Sequence, residues 1–125
     1  MESIPLGLGV RKIGDISILD VAGEIDVYTA PRFKEAVSEI LEAGQKNLLI
    51  NMAGVTYMDS SGFGTLLSAT KKLRPEGGSV NLISCSASID RILKITRLDT
   101  IFGTYRDDDE AVQAMHSKVY DGKGQ

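Results

Sequence analysis

Asn47-Leu48-Leu49-Ile50-Asn51-Met52 and, a few residues on, Val55-Thr56-Tyr57-Met58-Asp59-Ser60-Ser61-Gly62-Phe63-Gly64 carry an apolar strand into a helix. The first run is short and bounded by Gly44 and Gly54, which predicts a strand over Asn47–Met52 buried on both faces. Downstream, Phe63, Leu66, Leu67, Thr70 and Leu73 recur at helical spacing and predict a helix from Ser61 to Leu73. Ser60 then falls at its N-cap, where a serine oxygen can accept from an unpaired amide of the first turn. A hydroxyl beside a carboxylate at that point is a place to receive a phosphoryl group. The dianion would meet the positive end of the helix dipole and several free N–H donors. The neighbouring Asp59 would oppose it by about 1 kcal/mol in a partly solvated setting, so the modified loop stays folded with its charge changed. The plainer account, a capping serine after a turn aspartate, stands beside this one.

Outward from this stretch, Pro5–Val10 and Asp15–Ala22 are expected as two antiparallel strands joined by Arg11-Lys12-Ile13-Gly14. Ala30–Ala43 carries Phe33, Ala36, Val37, Ile40 and Leu41 on one helical face, with Pro31 in the first turn and Gly44 after the end. Past the break Arg74-Pro75-Glu76-Gly77-Gly78, a strand is expected over Ser79–Ser84, with Cys85 at its end. Ser88 is expected to cap a helix running to Thr96, with Ile89, Ile92, Leu93 and Thr96 on one face. A last strand is expected over Ile101–Tyr105. A final helix over Asp107–Val119 has acids in its first turn and an apolar stripe of Ala111, Val112, Met115 and Val119. Alternating strands and helices of these lengths demand parallel crossovers, so the fold class is α/β: a mixed sheet of about five strands covered by about four helices.

With 125 residues, 42% of them hydrophobic and 25% charged, the chain is long enough for one core and too short for two. A single domain over 1–120 with a frayed tail over 121–125 is expected. The net charge is −3 and the basic residues are dispersed among acids, which gives no footprint for direct nucleic-acid binding. No apolar run approaches the roughly 18 to 20 residues needed to cross a bilayer, so no membrane partner is expected. The lone Cys85 cannot form an internal disulfide and no secretory leader opens the chain, which together suggest a cytoplasmic protein.

Two segments extend the reading beyond composition. Val21-Ala22-Gly23-Glu24-Ile25-Asp26-Val27-Tyr28-Thr29-Ala30-Pro31 and Tyr57-Met58-Asp59-Ser60-Ser61-Gly62-Phe63-Gly64 resemble the two signatures of the STAS family of anti-sigma factor antagonists. Ile89–Asp99 followed by Ile101-Phe102 is similar to the family's third helix and last strand. The family usually has leucine where this chain has Phe63. Neither Met1–Val10 nor the stretch after Val119 fits a family motif. The resemblance implies a STAS domain that binds an anti-sigma factor, itself a serine kinase, in the unmodified form and so releases a sigma factor. That kinase would phosphorylate Ser60, the antagonist would dissociate, and a PP2C-type phosphatase would reset it. Asp59 would position the Ser60 hydroxyl and later disfavour the docked phosphorylated state. Asp26, together with Thr29 in the same signature, would support the same sheet edge; Asp26 is otherwise a turn residue without a partner. Ser61 is a secondary acceptor or a first-turn serine bonded to backbone. Gly62 and Gly64 would keep the helix start free of bulk for the docking kinase. No cofactor is implied, and self-association as a weak homodimer stays open. The alternative is a STAS scaffold or small-ligand-sensing subunit of a larger regulatory or transport assembly, never phosphorylated.

Catalysis finds little support in the residues. A serine hydrolase needs a general base, and the only histidine, His116, lies on the last helix; Ser60 is in no G-x-S-x-G elbow. One Cys and one His far apart offer no metal cluster, and Asp107-Asp108-Asp109-Glu110 is more simply read as acids opening a helix. Gly7-Leu8-Gly9 and Gly62-Phe63-Gly64 lack dinucleotide or Walker spacing.

Overall fold

The computed structural model describes the backbone over residues 5–123 and side chains over residues 5–117. Five strands form one sheet in sequence order: β1 (Gly7–Ile13), β2 (Ile16–Ile25), β3 (Asn47–Met58), β4 (Ser79–Ile83) and β5 (Gly103–Tyr105). Only β1 and β2 are antiparallel; β2–β3, β3–β4 and β4–β5 are parallel. The three crossovers contain α1 (Ala30–Glu42), α2 (Ser60–Leu73) and α3 (Ala87–Ile95), and α4 (Asp108–Lys123) follows β5. This is the mixed, helix-covered sheet that the alternation demands.

Strand alternation divides the interior in two. Leu19, Val21, Leu48, Ile50, Met52, Val80 and Leu82 face Phe33, Val37 and Ile40 of α1, Phe63, Leu66, Ala69 and Leu73 of α2, and Ile89 and Leu93 of α3. On the other face Ile18, Leu49 and Ile83 meet Ala111 and Met115 of α4, the fully buried side chains of that helix among the described residues. Leu48, Leu49 and Ile50 are all completely buried, so β3 is covered on both faces as its unbroken apolar run predicts.

Several boundaries move. Arg11, Lys12 and Ile13 belong to β1 and not to a turn: Ile13 pairs with Ile16 and packs into the smaller core, leaving Gly14-Asp15 to turn the chain. β3 runs to Met58, six residues past the expected end, because β2 continues beside it to Ile25 and pairs with it there. Leu67 of α2 and Ile92 of α3 are exposed, and Gly62 and Ala69 join the buried face of α2. Thr96 is exposed and closes α3 through its backbone. The cap of α3 is Ser86, whose hydroxyl accepts from the Ile89 amide at 3.2 Å, so Ser88 lies inside the helix and Cys85 in the link before it. β5 begins at Gly103 because Leu98–Thr100 forms a 3₁₀ turn and Phe102 is drawn into the main core. α4 continues to Lys123, into the stretch expected as a tail; residues 1–4 and 124–125 lie outside the described residues, as does the side chain of Val119.

One polar network ties α4 to the sheet. Arg11 donates to both oxygens of Asp20 at 2.6 and 2.8 Å and to Asp108 at 2.9 Å, while Asn51 donates to Asp20 at 2.8 Å. Arg11, and then Asn51, hold the Asp20 carboxyl below the ordinary carboxylate value. A carboxylate depressed in the folded state stabilises above its unfolded value, and this contribution fades as pH falls through the folded value. Both partners of the ion pair are partly exposed, so screening limits the network to about 1 kcal/mol. Arg11→Ala is therefore expected to lower unfolding free energy by about 1 kcal/mol at neutral pH, with the difference narrowing below about pH 4. Urea titrations of both proteins at pH 7 and pH 3 check this, and equal differences at the two pH values would contradict it.

Candidate functional site

The candidate site lies where the paired ends of β2 and β3 release the chain into α1 and α2. Ile25 and Met58 are partners in the parallel ladder, and the Asp59 amide donates to the Ile25 carbonyl at 3.1 Å. Asp26 and Asp59 thus emerge side by side, as the first signature and the serine segment require if they act together.

In the β2–α1 connection, Asp26 Oδ1 accepts from the amides of Tyr28 and Thr29 at 2.9 and 3.0 Å. The Thr29 hydroxyl accepts from the Asp26 amide at 2.9 Å and donates to the Glu24 carbonyl at 2.8 Å. Asp26 is a turn residue, but one with partners, and this reciprocal pairing is the logic of a capping box. It holds Val27 and Tyr28 outward: Tyr28 is 88% exposed and Val27 64%. With Tyr57, 50% exposed at the penultimate position of β3, they leave apolar surface beside the serine segment. The sequence reading missed these three; the signal available for Val27 and Tyr28 was large apolar residues in a turn, where polar ones are usual.

The cap of α2 is Asp59, one residue before the position expected for it, and Ser60 is the first helical residue. The carboxylate of Asp59 accepts from the Ser61 amide at 2.9 Å and from the Ser61 hydroxyl, not from Ser60. The Ser61 hydroxyl, and after it the amides of Ser61, Gly62 and Val27, hold the Asp59 carboxyl below the ordinary carboxylate range, against partial desolvation. Asp59 is therefore a fixed negative charge at neutral pH. Ser60 is exposed, and among the described residues its hydroxyl has no hydrogen-bond partner. Ser61 is bonded through its hydroxyl to a side chain, where backbone was the expected partner.

Gly62 is placed differently from its expected role. It is buried, and a Cβ there would lie 2.5 Å from Met58 Cγ and 2.9 Å from Ile25 Cγ2, so its smallness lets the first turn of α2 press onto the strand ends. Gly64 is the outward one, with nothing within 4 Å of a Cβ.

The other candidates stay apart from this cluster. His116 is exposed on α4, across the sheet from α2, so the histidine and Ser60 are on opposite faces. Burial pushes the Cys85 thiol up to about 11, which leaves it an inert thiol at neutral pH. Asp107 accepts from the Glu110 amide at 2.8 Å and Glu110 accepts from the Arg106 amide at 3.0 Å, so these acids open α4. Among the described residues no cluster of three or more potential metal ligands occurs, and no helix is long and apolar enough to cross a membrane. A groove of about 520 Å³ between β1, β2 and α1, lined by Leu8, Val10, Leu19, Arg32 and Ile40, contains none of the candidate residues.

A helix-covered mixed sheet presenting an exposed serine beside a capping aspartate at the head of α2 defines a known class: residues 8–111 match the STAS domain, and the chain belongs to that family. Among its relatives is the anti-sigma-B factor antagonist of Bacillus subtilis, 39% identical over 87 residues, which span 70% of this chain and 78% of that protein. The anti-sigma-B factor antagonist of Staphylococcus aureus is 33% identical over 78 residues, covering 62% and 72% of the two chains. A solved anti-sigma factor antagonist from Mycobacterium paratuberculosis superposes with a TM-score of 0.80 at 28% identity, over 90% of this chain and 97% of that one.

Proposed function

We propose that this chain is an anti-sigma factor antagonist that docks on an anti-sigma factor serine kinase when Ser60 is bare and leaves it when Ser60 is phosphorylated. It works in the cytoplasm as a regulator without catalysis of its own, and a PP2C-type phosphatase restores the bare form. The observation that carries this reading is the exposed hydroxyl of Ser60 at the first position of α2, without a partner among the described residues and next to the anionic Asp59. A kinase can reach that oxygen without unfolding anything. Once esterified, it places a second anion beside Asp59, and a docked partner that had fitted one charge meets roughly two more. The names of the relatives support the partner class.

The apolar rim of Val27, Tyr28 and Tyr57 supports docking at this end of the sheet, because aromatic side chains on a rigid loop bury large area at small entropic cost. Asp26 and Thr29 serve by holding that loop.

Co-expression with the kinase encoded nearby is expected to add one phosphate to the intact mass of the protein, and Ser60→Ala is expected to abolish the gain. An unchanged mass in both proteins favours the second reading, a STAS subunit that senses a small ligand, for which the groove beside α1 is the supporting observation.

A further inference from the structure

Two serines stand side by side at the head of α2, and a kinase active site that admits one of them comes within a residue of the other. Resting on the functional reading above, we infer that Asp59 selects between them: it holds the Ser61 hydroxyl out of reaction and leaves Ser60 as the acceptor. Asp59 is in this sense a positioning residue for phosphoryl transfer and not its base.

Phosphorylation requires the serine Oγ to attack the γ-phosphorus of ATP in line. The bond from that phosphorus to the β–γ bridging oxygen breaks, ADP leaves with the bonding electron pair, and the hydroxyl proton passes to a base supplied by the kinase. The attacking oxygen must therefore be free to turn toward the nucleotide and to release its proton outward. Ser60 meets both conditions, being exposed and without a partner among the described residues. Ser61 meets neither. Its hydroxyl proton is given to the Asp59 carboxylate, a charge-assisted bond stronger than one between neutral groups. Its side chain is half-buried and its carbonyl accepts from the Thr65 hydroxyl at 3.1 Å.

The restraint cannot travel with Ser61. Asp59 is fixed by the Ser61 amide through its side chain and by the Ile25 carbonyl through its own amide. On the other side of Ser61, Gly62 is pressed against Met58 and Ile25, so the backbone cannot lift the second serine outward. The low titration of the Asp59 carboxyl agrees with a carboxylate that stays ionised and keeps accepting at neutral pH. Replacing the carboxylate should free a nucleophile that the native protein keeps engaged.

The test is phosphosite mapping by fragmentation mass spectrometry after incubation with the cognate kinase and ATP, on native protein, Ser60→Ala, Asp59→Ala, and Ser60→Ala combined with Asp59→Ala. Native protein is expected to carry phosphate on Ser60 alone, and Ser60→Ala to gain only a trace on Ser61. The double variant is expected to accept phosphate on Ser61 at least tenfold faster than Ser60→Ala. Asp59→Ala alone is expected to carry phosphate on both serines, whereas loss of the cap without selection would leave Ser60 the sole acceptor. Phosphate on Ser61 in Ser60→Ala at close to the native rate overturns it, as does a double variant that melts and binds the kinase normally yet stays unmodified. Should the double variant fail to fold, hydroxyl proton exchange in the native protein decides: nuclear magnetic resonance should show the Ser61 proton exchanging at least tenfold more slowly than that of Ser60, and equal rates overturn the inference. A native protein that takes no phosphate at all overturns the functional reading, whereas one phosphorylated on Ser60 without the other results overturns only the selection by Asp59.

Discussion

Ser60→Glu is expected to bind the anti-sigma factor kinase at least about tenfold more weakly than native protein, while its melting temperature stays within about 2 °C. The two halves of this expectation have separate causes. A carboxylate at the first helical position gains from the dipole of α2 and loses to Asp59 one residue away, and both effects are small at an exposed site. Folding is therefore nearly indifferent to the change. Binding is not, because a docked partner excludes the water that screens these charges, and a like-charge contact across an interface costs several kcal/mol by order of magnitude. Calorimetric titration alongside a thermal melt separates the halves. Equal affinities of native and Ser60→Glu protein would remove the electrostatic basis of the switch, whatever the phosphorylation state in cells.

A second substitution should act on folding alone. Gly78 closes the connection from α2 into β4, and its amide donates to the Leu73 carbonyl at 2.9 Å. A Cβ there would lie 1.9 Å from the Lys46 carbonyl oxygen, an overlap that no rotamer relieves because the atom belongs to the backbone. The Lys46 oxygen is itself held by the Ser79 amide at 3.2 Å, at the point where β3 and β4 begin to pair. Gly78→Ala must force those strand starts apart and is expected to destabilise by about 3 kcal/mol, or roughly 10 °C in melting temperature. Gly9→Ala is the matching control: nothing lies within 4 Å of its Cβ, and its effect should stay within about 1 kcal/mol. Similar melting curves for the two variants would show that the connection at Gly78 is looser than its contacts imply.

How far the sequence reached depended on whether the deciding interaction was local. α1 was legible almost to the residue, because Pro31, the apolar face and the terminal Gly44 all act within the segment. The parallel order of β2, β3 and β4 followed from the alternation of strands and helices. β3 was read too short because Gly54 looks like a terminator, yet the strand passes it where its register against β2 shifts beside Ala22, a tertiary accommodation with no local mark. In the site, Ser60 was legible as the exposed residue at the helix mouth, but the cap went to its neighbour. Aspartate and serine cap equally well, and only the geometry of the strand end, fixed by the Asp59 amide on the Ile25 carbonyl, chooses between them. The Asp59–Ser61 bond and the outward set of Tyr28 depend on that same junction and were invisible for the same reason.

The unequal division of the interior has its own outcome. α1, α2 and α3 share one large core, whereas among the described residues α4 rests on Ala111, Met115, a few partly buried neighbours and the Arg11 network. Excursions in which α4 swings away while the remaining layers persist should thus require the least work of any partial opening, and amide deuteration ought to reach the inner face of that helix first. Since Asp59, Ser60 and Ser61 belong to the opposite layer, such breathing would uncover Ile18, Leu49 and Ile83 without disturbing them.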